Sequence, residues 1–347
     1  MQRHGCRLAL VLAATLAFVF AQGCDSSKLP KLAVTSQTEF LFCHWNVENF
    51  FDDKADGRTG PGDREYDALY PDRPDLLQLK LAKLTEAILK MNGGKGPDIL
   101  ALVEVESVRA AELLRQALNA KLSDKKLHYE NLLMQEVSVG RHIAPAILTR
   151  LPVVKDRTRL IDRVRRILVG HIKLNDHELV VIASHWTSRL QESGVKGRAD
   201  YADKIYGAVN AIYRTNPAAD VLISGDFNDD PSDVSVVEHL NAIGDANAVR
   251  NSNPLKLLNT FAGKDANESG THYYKQWHIF DQIVVSPGLL DSKGWSCDPK
   301  SAAVFNELYR PKDKNRRPWR FGGANEKNER GYSDHFPVTI RLRLEAK

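Results

Sequence analysis

The feature that most constrains the fold is a series of short apolar runs, each as long as one β-strand and each separated from the next by polar residues. Such runs predict strands, and they lie at residues 40–47, 99–105, 144–149, 167–174, 179–184, 221–224, 280–286 and 338–344. Apolar stripes with helical spacing interrupt them at residues 76–91, 110–122 and 199–213. Because strands outnumber helices and the two are interleaved, the sequence predicts an α/β protein with α+β layering, in which sheets lie inside and helices outside.

Most connections between these elements are short. Residues 175–177, Asn-Asp-His, join two predicted strands and are typical of a hairpin turn. Segments 52–74 and 306–330 are instead long predicted loops, and long loops in a compact domain are commonly functional. The sequence has no internal repeat, no glycine-rich nucleotide-binding or phosphate-binding loop, and no break in composition. We therefore predict a single domain over residues 39–347.

The N-terminus has the composition of an export signal. Arg3 and Arg7 precede an uncharged run at residues 8–20, and the small residues Ala21 and Gly23 follow. A basic start, a short apolar core and small residues before a cleavage point are typical of such a signal. The run of about 13 residues is too short to cross a bilayer comfortably, because a membrane-spanning helix takes roughly 20 residues.

Cys24 directly follows this segment, as in a bacterial lipoprotein cleavage site. We therefore predict a lipoprotein-type signal peptide over residues 1–24, lipidation of Cys24 and a tether over residues 25–38. The predicted location is the cell envelope, at the periplasmic or the outer surface, with the membrane reached through the lipid anchor. Plain secretion and a retained anchor are the alternatives.

Charge and cysteine usage narrow the possible partners. Without residues 1–24 the chain has 46 basic and 44 acidic residues, a net charge of +2, so a polyanionic partner must be met by a local patch. Cys43 lies in a predicted strand, where a buried thiol is favoured over a disulfide with Cys297. No Cys/His pattern with zinc-ligand spacing occurs in the sequence.

Two predicted strands end in a side chain that carries oxygen. Glu104 follows the run Ile-Leu-Ala-Leu-Val, and Asn46 lies in the same kind of position near the end of the first strand. A carboxylate at the edge of the core is partly desolvated, and a divalent cation compensates for this. An amide carbonyl can bind Mg²⁺ without adding charge. The alternatives are a salt-bridged glutamate and a capping asparagine.

The segment Gly-Asp-Phe-Asn at residues 225–228 is more specific. Asp226 and Asn228 are two positions apart, so both side chains point to the same side of an extended chain. Asp226 could orient or deprotonate a water molecule, and Asn228 could hold that water or a phosphate oxygen. Asp229 and Asp230 follow and lead into a predicted helix start. The alternative is that these acids only cap and solvate a turn.

Two histidines lie at predicted strand ends. His185 follows an apolar run, and His335 lies in Gly-Tyr-Ser-Asp-His-Phe-Pro-Val at residues 331–338. Asp281 opens another apolar strand, and a buried carboxylate can fix the tautomer of a catalytic histidine and raise its basicity. We predict that Asp281 pairs with His335. The alternatives are a strand-end cap for Asp281 and a structural role for His185.

Six of these motifs occur in the order found in a known superfamily. They are Trp-Asn-Val at 45–47, Leu-Val-Glu-Val at 102–105, Ser-His-Trp at 184–186, Gly-Asp-Phe-Asn at 225–228, Phe-Asp-Gln-Ile at 280–283 and Ser-Asp-His-Phe-Pro-Val at 333–338. Residues 40–345 thereby resemble the endonuclease/exonuclease/phosphatase superfamily, which includes pancreatic-type deoxyribonucleases, abasic-site endonucleases, bacterial sphingomyelinases and inositol polyphosphate 5-phosphatases. The sequence Asn-Val-Glu-Asn-Phe-Phe-Asp at 46–52 is similar to its exported bacterial branch. The resemblance implies a four-layer α/β sandwich, with two facing mixed β-sheets flanked by helices.

The same resemblance implies a metal site and an attacking water. Asn46 and Glu104 would hold Mg²⁺, and Asp334 would contribute to the metal shell, with Mn²⁺ or Ca²⁺ as alternative ions. Asp226 and Asn228 would position the attacking water and a phosphate oxygen.

The resemblance also assigns the histidines. His335 would contact the scissile phosphate as an acid, a base or a charge stabiliser, and Asp281 would orient it. His185 matches a second histidine of the deoxyribonuclease and sphingomyelinase branches, which the abasic-site endonucleases lack.

Substrate-binding residues are predicted on two segments. Arg141 lies where relatives carry an arginine before a strand and could clamp a phosphate, although Pro145 removes a hydrogen-bond donor from that strand. The loop at residues 309–321 carries six basic residues beside aromatic ones, a combination that suits nucleic acid. Its predicted contacts are Arg316, Arg317 and Trp319. The alternative is a solvated charged loop.

Together these inferences predict an exported Mg²⁺-dependent phosphodiester hydrolase in which a His–Asp pair assists a metal-activated water. Nucleic acid, DNA or RNA, is the favoured substrate, and we expect a monomer. The alternatives are a phosphodiesterase or phosphatase acting on a phospholipid, an inositol phosphate or a nucleotide, and a non-catalytic binding protein. The sequence shows no long apolar hairpin suited to membrane insertion, which argues against a lipid substrate.

Overall fold

Two mixed β-sheets lie face to face in the computed structural model, which describes residues 38–60, 62–137 and 140–345. Across these residues each sheet has seven strands. The apolar core between the sheets includes Phe42 from the first sheet and Leu222 and Ile283 from the second, all fully buried. The predicted signal peptide, the lipidation site Cys24 and nearly all of the tether lie outside the described residues.

The first sheet contains the N-terminal and C-terminal strands at its centre. Its strands, in spatial order, are β14 (Trp295–Cys297), β16 (Val338–Leu344), β1 (Glu39–Phe50), β2 (Ile99–Val105), β4 (Ala144–Thr149) and β3 (Asn131–Met134), and β15 (Ala303–Val304) also pairs with β16. Strands β1 and β2 are parallel, and the other pairs are antiparallel.

The second sheet has the parallel pair β7 and β8 at its centre and a second parallel pair, β9 and β10, at one edge. Its strands, in spatial order, are β5 (Arg159–Leu160), β6 (Leu168–Leu174), β7 (His177–His185), β8 (Asp220–Asp226), β13 (Asp281–Val285), β10 (Leu257–Asn259) and β9 (Ala242–Ile243). A separate hairpin consists of β11 (His272–Tyr274) and β12 (Gln276–His278). The turn predicted at residues 175–177 joins β6 and β7, and Asn175 and Asp176 adopt positive φ values of 50° and 69°, as a two-residue hairpin turn requires.

Helices cover the outer faces of both sheets. They are α1 (Arg64–Asp72), α2 (Pro74–Lys90), α3 (Val108–Lys121) and α4 (Gly194–Thr215), with a π-helical turn at Ser235–His239. The short helices α5 (Ala246–Arg250) and α6 (Ala266–Ser269) instead pack against the core between the sheets. The apolar stripe of α2 packs with that of α3 on the first sheet, and α4 buries Tyr201, Ile205 and Val209 on the second. Helix, sheet, sheet and helix are therefore four layers, and the predicted α/β sandwich is confirmed.

The structure differs from the sequence prediction in several connections. Residues 52–74 are not a continuous loop, because α1 forms there and buries Tyr66 and Tyr70 in the apolar cluster on the outer face of the first sheet. That helix is short and contains Pro71, so it shows little helical periodicity. Asp229 and Asp230 form ion pairs with Arg198 and His278, and a turn at residues 231–232 follows. The helical segment begins only at Val234, a few residues later than predicted. Residues 306–330, all described, contain no helix or strand, as predicted.

Strands β1 and β2 are irregular where they approach the functional residues. Their register shifts between Asn46 and Phe50, and β2 shifts against β4 between Leu102 and Val105. Glu48, Asn49 and Glu104 have positive φ values of 53°, 49° and 65°. Bulges of this kind re-aim side chains beside active sites. Pro145 lies opposite the second irregularity, where the loss of one ladder donor is tolerated.

Both cysteines in the described part of the chain are free thiols. Cys43 is fully buried, and burial raises the pKa of its thiol far above the usual value. The favoured interpretation of Cys43 thus agrees with the structure. Among the described residues no helix combines the length and the apolar character needed to cross a membrane.

Candidate active site

The candidate site lies where the carboxyl ends of strands from both sheets meet. In the second sheet His185, Asp226 and Asp281 are neighbours across three adjacent strands, because His185 pairs with Asp226 and Asp226 pairs with Asp281. The first sheet contributes Asn46 from β1 and Glu104 from β2. Strand pairing within each sheet and the packing of one sheet on the other therefore bring together side chains that are up to about 235 residues apart in sequence.

Asp281 and His335 form a buried pair. Asp281 Oδ2 lies 2.7 Å from His335 Nδ1, and both residues are almost completely shielded from solvent. Burial alone lowers the pKa of His335, but the carboxylates of Asp281 and Asp226 outweigh it, so the pKa lies well above its usual value. The raised pKa favours the protonated imidazolium, whose Nε2 lies 3.7 Å from Asp226 Oδ2.

The backbone of His335 is also fixed. Trp45 Nε1 donates to the carbonyl oxygen of His335 at 2.9 Å, and Ser333 Oγ donates to the carbonyl oxygen of Asn46 at 2.6 Å. The motif that carries His335 is therefore attached to β1 at two points. This attachment places the imidazole at the junction of the two sheets.

Asn46 joins two carboxylates from different sheets. Its Nδ2 donates to Glu104 Oε1 at 3.1 Å and to Asp226 Oδ2 at 3.0 Å. Its Oδ1 accepts a hydrogen bond from the backbone N–H of Glu48 at 3.0 Å. Because that N–H can only donate, it fixes the orientation of the Asn46 amide.

Glu104 is held as a carboxylate. Its Oε2 accepts from the backbone N–H of Asn49 at 2.8 Å, and its Oε1 lies 3.9 Å from His185 Nε2. Burial alone raises the pKa of Glu104, but the positive charges of His185 and Arg141 help to outweigh it, so the pKa lies below its usual value. The carboxylate stays ionised although its side chain is only 13% exposed.

These residues fit a divalent cation. Glu104 Oε1 and Asp226 Oδ2 converge on one atom, Nδ2 of Asn46, and ionised oxygen donors are the ligands that Mg²⁺ prefers. Asn46 directs its nitrogen, not its oxygen, at this point, so it would bind a cation only after its amide turned over. Glu104 is therefore the direct candidate ligand.

Asp334 lies on the other side of His335. Ligand atoms of Asp334, His272 and His335 all lie within 4.8 Å of one another, and Asp226, Asp281 and His335 form a second such group. Asp334 and Glu104 both line the groove described below. The role of Asp334 in the metal shell stays a prediction.

His185 and Asn228 complete the predicted catalytic set. His185 Nε2 lies 3.5 Å from Asp226 Oδ2. The backbone N–H of Asn228 donates to Asp226 Oδ1 at 3.0 Å, and its Nδ2 donates to the carbonyl oxygen of Trp186 at 3.2 Å. Asp226 thus accepts from Asn228 on one oxygen and from Asn46 on the other.

A groove of about 890 Å³ opens above these residues. Its lining includes Glu104, His185, Asp226, Asn228, Asp334, His335, Arg141, Arg317 and Trp319. Arg316 is not among the lining residues; its guanidinium stacks over the ring of Tyr309, with 4.3 Å to the centroid. The structure therefore brings the predicted substrate-binding residues to one groove with the exception of Arg316.

Arg141 is already engaged at the groove wall. Its Nε donates to Asp63 Oδ1 at 2.9 Å, and its Nη2 donates to Asn49 Oδ1 and to the carbonyl oxygen of Gly62. Since Asn49 also binds Glu104, this network connects the guanidinium to the candidate cation ligand.

Sequence reasoning missed two further residues. His272 lies against His335 with ring centroids 4.3 Å apart, and its Nδ1 contacts the carbonyl oxygen of Asp334 at 2.9 Å. Burial and the positive charge of His335 lower the pKa of His272. The aromatic run at residues 271–277 was the only sequence signal for it.

The second missed residue is Glu48. Its carboxylate accepts from Arg320 Nε and Nη2 at 3.0 and 2.8 Å and from the backbone N–H groups of Phe321 and Gly322 at 2.6 and 3.1 Å. The buried Lys80 donates to the backbone carbonyl of Glu48 at 3.2 Å. These bonds attach the loop at residues 306–330 to β1. No local sequence pattern predicts them, because the bonded residues are far apart in the sequence.

Known structures share this fold. TDP2 from Caenorhabditis elegans, in truncated form, is 16% identical with a TM-score of 0.53, covering 88% of this chain and 98% of that one. An endonuclease/exonuclease/phosphatase family protein from Bacteroides thetaiotaomicron is 17% identical with a TM-score of 0.52, covering 89% and 99%. TDP2 from D. rerio, complexed with a single-strand DNA product, is 15% identical with a TM-score of 0.51, covering 88% and 100%. Identities this low show the fold alone.

Sequence comparison gives the family. No curated protein matches the sequence. The family model described as Endonuclease/Exonuclease/phosphatase family matches residues 42–344, most of the chain, and its members are hydrolases that act on phosphoester bonds with divalent metal ions. The resemblance predicted from six motifs is thereby confirmed at the level of the family, and this chain belongs to the endonuclease/exonuclease/phosphatase family.

Proposed function

We propose that this protein is an exported, Mg²⁺-dependent phosphodiester hydrolase that cleaves nucleic acid. The observation that carries the proposal is the placement of the Asp281–His335 pair and of Asp226 and Glu104 at the base of one open groove. An imidazolium, two carboxylates and a site for a hard cation are the groups that hydrolysis of a phosphate ester needs.

The side chains divide the work of hydrolysis. His335, charged and fixed by Asp281, stabilises the negative charge that develops on the phosphate or donates a proton to the leaving oxygen. Asp226, held on both oxygens, orients the attacking water and accepts its proton. Mg²⁺ on Glu104, and on Asn46 through its amide oxygen, would neutralise charge on the nonbridging phosphate oxygens. His185 faces the same carboxylate from the opposite side.

The groove wall supports nucleic acid as the substrate. Hairpin β11–β12 and the loop at residues 306–330 meet there, with the guanidinium of Arg317 5.4 Å from the ring centroid of Tyr273. Trp319 and the exposed Arg310 also line this side. Cations that meet a phosphate backbone beside rings that can stack on bases are typical of single-strand binding. The D. rerio TDP2 structure contains a single-strand DNA product, which agrees with such a substrate on this fold.

One substrate panel tests the proposal. The full-length protein is offered plasmid DNA, single-stranded DNA, RNA, sphingomyelin in vesicles and a nucleotide monoester, each with Mg²⁺, Mn²⁺ or Ca²⁺ and with EDTA. We expect metal-dependent cleavage of nucleic acid. Turnover of the lipid or the monoester without cleavage of nucleic acid would contradict the nuclease assignment, and tight DNA binding with no turnover of any substrate would indicate a binding protein.

A second candidate is a phosphodiesterase acting on a phospholipid. The observation that favours it is the exposure of three large apolar side chains at the groove: Leu190 is 79% exposed, Val164 60% and Tyr274 51%. An apolar rim beside arginines suits an amphipathic substrate. The sphingomyelin arm of the panel separates this candidate from the first.

Export and lipidation remain part of the proposal. Strand β1 begins at Glu39 and reaches the site at Asn46, seven residues and roughly 25 Å later. A tether joined before Glu39 would therefore meet the domain at the end of β1 that lies away from the groove. We propose that Cys24 is acylated and that the domain works as a monomer, because one chain supplies every site residue described above. Labelling with radioactive palmitate, lost in Cys24→Ser, tests the anchor, and light scattering in detergent tests the monomer.

A further inference from the structure

A second histidine lies behind the catalytic pair. His44 belongs to β1, two residues before Asn46, and is completely buried. Its Nε2 lies 3.5 Å from Asp281 Oδ1, the carboxylate oxygen that does not face His335. The Asp281 carboxylate is thus placed between two imidazoles, with His335 towards the groove and His44 towards the core.

The buried polar groups around Asp281 would lower the stability of the folded state if they had only a structural role. The contact of 3.5 Å between His44 Nε2 and Asp281 Oδ1 is an ion-pair contact and not a close hydrogen bond. His44 Nδ1, and Ser224 Oγ two positions before Asp226 on β8, have no hydrogen-bond partner among the described residues. Each buried polar group without a full partner destabilises the folded state. An apolar side chain at position 44 would avoid this cost, because the same face of β1 carries the buried Phe42 in the apolar core. The polar cluster therefore calls for a functional explanation.

Asp281 has few other restraints. Its side chain makes one close hydrogen bond among the described residues, to His335 at 2.7 Å, and its other oxygen lies 3.5 Å from His44 Nε2. Burial alone raises the pKa of Asp281, but the attraction of His335 and, to a smaller degree, of His44 lowers it below the usual value. A carboxylate with only one of its two oxygens held by a partner could rotate about its Cβ–Cγ bond and turn away from His335. A donor on the opposite oxygen opposes that rotation.

We propose that His44 is a positioning residue: from the interior it holds the second oxygen of Asp281, so that the first oxygen stays on His335 Nδ1. This inference rests on the proposed function, since it assumes that the Asp281–His335 pair acts in hydrolysis. The side chain of His44 has its one recorded polar contact among the described residues with Asp281, and His44 is not among the residues that line the groove. We therefore expect its effect on the chemical step and not on substrate binding.

Two substitutions at one position test it. His44→Gln keeps an N–H donor at about the place of Nε2, whereas His44→Met has a similar volume and no donor. Kinetics with single-stranded DNA and Mg²⁺, and thermal unfolding, are measured for both in the full-length protein. We expect His44→Met to lower kcat about 10-fold, as loss of an orienting partner commonly does, with KM changed less than about twofold. We expect His44→Gln to recover most of the loss, and His44→Met to unfold at the same or a higher temperature.

A matched control addresses packing. Phe42 lies on the same face of β1, two residues before His44, in the apolar core. Phe42→Leu should therefore lower the unfolding temperature without the selective loss of kcat. The inference is overturned if His44→Met keeps full kcat, or if kcat and unfolding temperature fall together in both His44 variants. His335→Ala separates this failure from that of the proposed function: if His335→Ala is inactive while His44→Met is fully active, only the role of His44 is wrong.

Discussion

Asp281 Oδ2 and His335 Nδ1 are 2.7 Å apart, although 54 residues separate them and they belong to different sheets. Asp281 starts β13 of the second sheet, and His335 lies three residues before β16 of the first. The two sheets must therefore be docked before this pair can form. Any activity that depends on the pair depends on the packing of the sandwich.

The first prediction concerns this pair. We expect His335→Ala and Asp281→Asn each to lower kcat at least about 100-fold, the lower range of what a positioned acid or base contributes. Steady-state hydrolysis of the substrate found in the panel gives the measurement. His239→Ala is the matched control, because His239 and Asp203 form a surface pair at 2.9 Å far from the groove lining and its loss should not change kcat. Unchanged turnover in a folded His335→Ala protein would rule out the assigned role.

A second prediction concerns the cation. Glu104→Gln retains an oxygen for the Asn49 N–H but removes the negative charge that a cation requires. We expect turnover to fall at least about 100-fold, the Mg²⁺ concentration for half-maximal activity to rise, and EDTA to abolish the activity of the parent protein. Glu112→Gln, on the outer helix α3 in an ion pair with Arg115, should behave as the parent. The same Mg²⁺ dependence in Glu104→Gln and in the parent would show that the cation binds elsewhere.

A third prediction concerns substrate binding. Arg317 lies on the groove with its Nε bonded to Asp313 at 2.8 Å, and 47% of its side chain is exposed. If it meets a phosphate, Arg317→Ala should weaken nucleic-acid binding several-fold and reduce the slope of log affinity against log salt by about 1. Arg343→Ala removes the same charge at the opposite end of the sheet and should leave both quantities unchanged. Equal salt slopes for the two variants would exclude a phosphate contact by Arg317.

Glu48 gives a fourth prediction. Glu48→Ala leaves the guanidinium of Arg320 and two backbone N–H groups without their acceptor, which costs roughly 3–5 kcal/mol for a buried ionic partner. Discounting for the 56% exposure of Arg320, we expect about 1–3 kcal/mol. Limited proteolysis should then cut the loop at residues 306–330 faster than in the parent. An unchanged cleavage rate would show that Glu48 does not anchor the loop.

The sequence could predict the central strands because each is a run of buried residues with polar ends. Strands β2, β4 and β16 have the predicted bounds, because the apolar runs of β2 and β4 begin and end abruptly and β16 alternates buried apolar residues with polar ones. The edge strands β5 and β9 have two residues each, too few for a periodic pattern. The sequence therefore specifies the layers better than the edges.

The site residues also differ in how far the sequence could predict them. Asp226 and Glu104 could be found because they end apolar runs, and Asp281 could be paired with His335 because a carboxylate that opens an apolar strand suits the orientation of a catalytic histidine. Glu48 and His272 could not, because their importance arises from partners more than 60 residues away. His44 could not be found either, because its partner, the second oxygen of Asp281, belongs to a strand of the other sheet.

The last prediction concerns stability and pH. Asp220 opens β8, its Oδ2 accepts from the Trp295 N–H at 3.0 Å, and its buried Oδ1 has no hydrogen-bond partner among the described residues. Burial, with a smaller effect of the nearby negative charge of Asp291, raises the pKa of Asp220 to about 7. An unfolded aspartate titrates near about 3.9. The folded state therefore binds the proton more tightly, and this stabilisation is complete below about pH 4 and is lost as the pH rises through about 7.

Asp220→Asn should remove that dependence, because asparagine is neutral at every pH and keeps an oxygen for the Trp295 N–H. We expect the variant to match the parent in urea unfolding at about pH 3.5, within roughly 0.5 kcal/mol, and to exceed it at about pH 8.5 by on the order of 1 kcal/mol or more, since one pKa unit corresponds to about 1.4 kcal/mol. Asp72→Asn, exposed at the end of α1, should show no such difference between the two pH values. A variant that is less stable than the parent at pH 8.5 would mean that the Asp220 carboxylate is stabilised in the folded state and that its pKa is lowered, not raised.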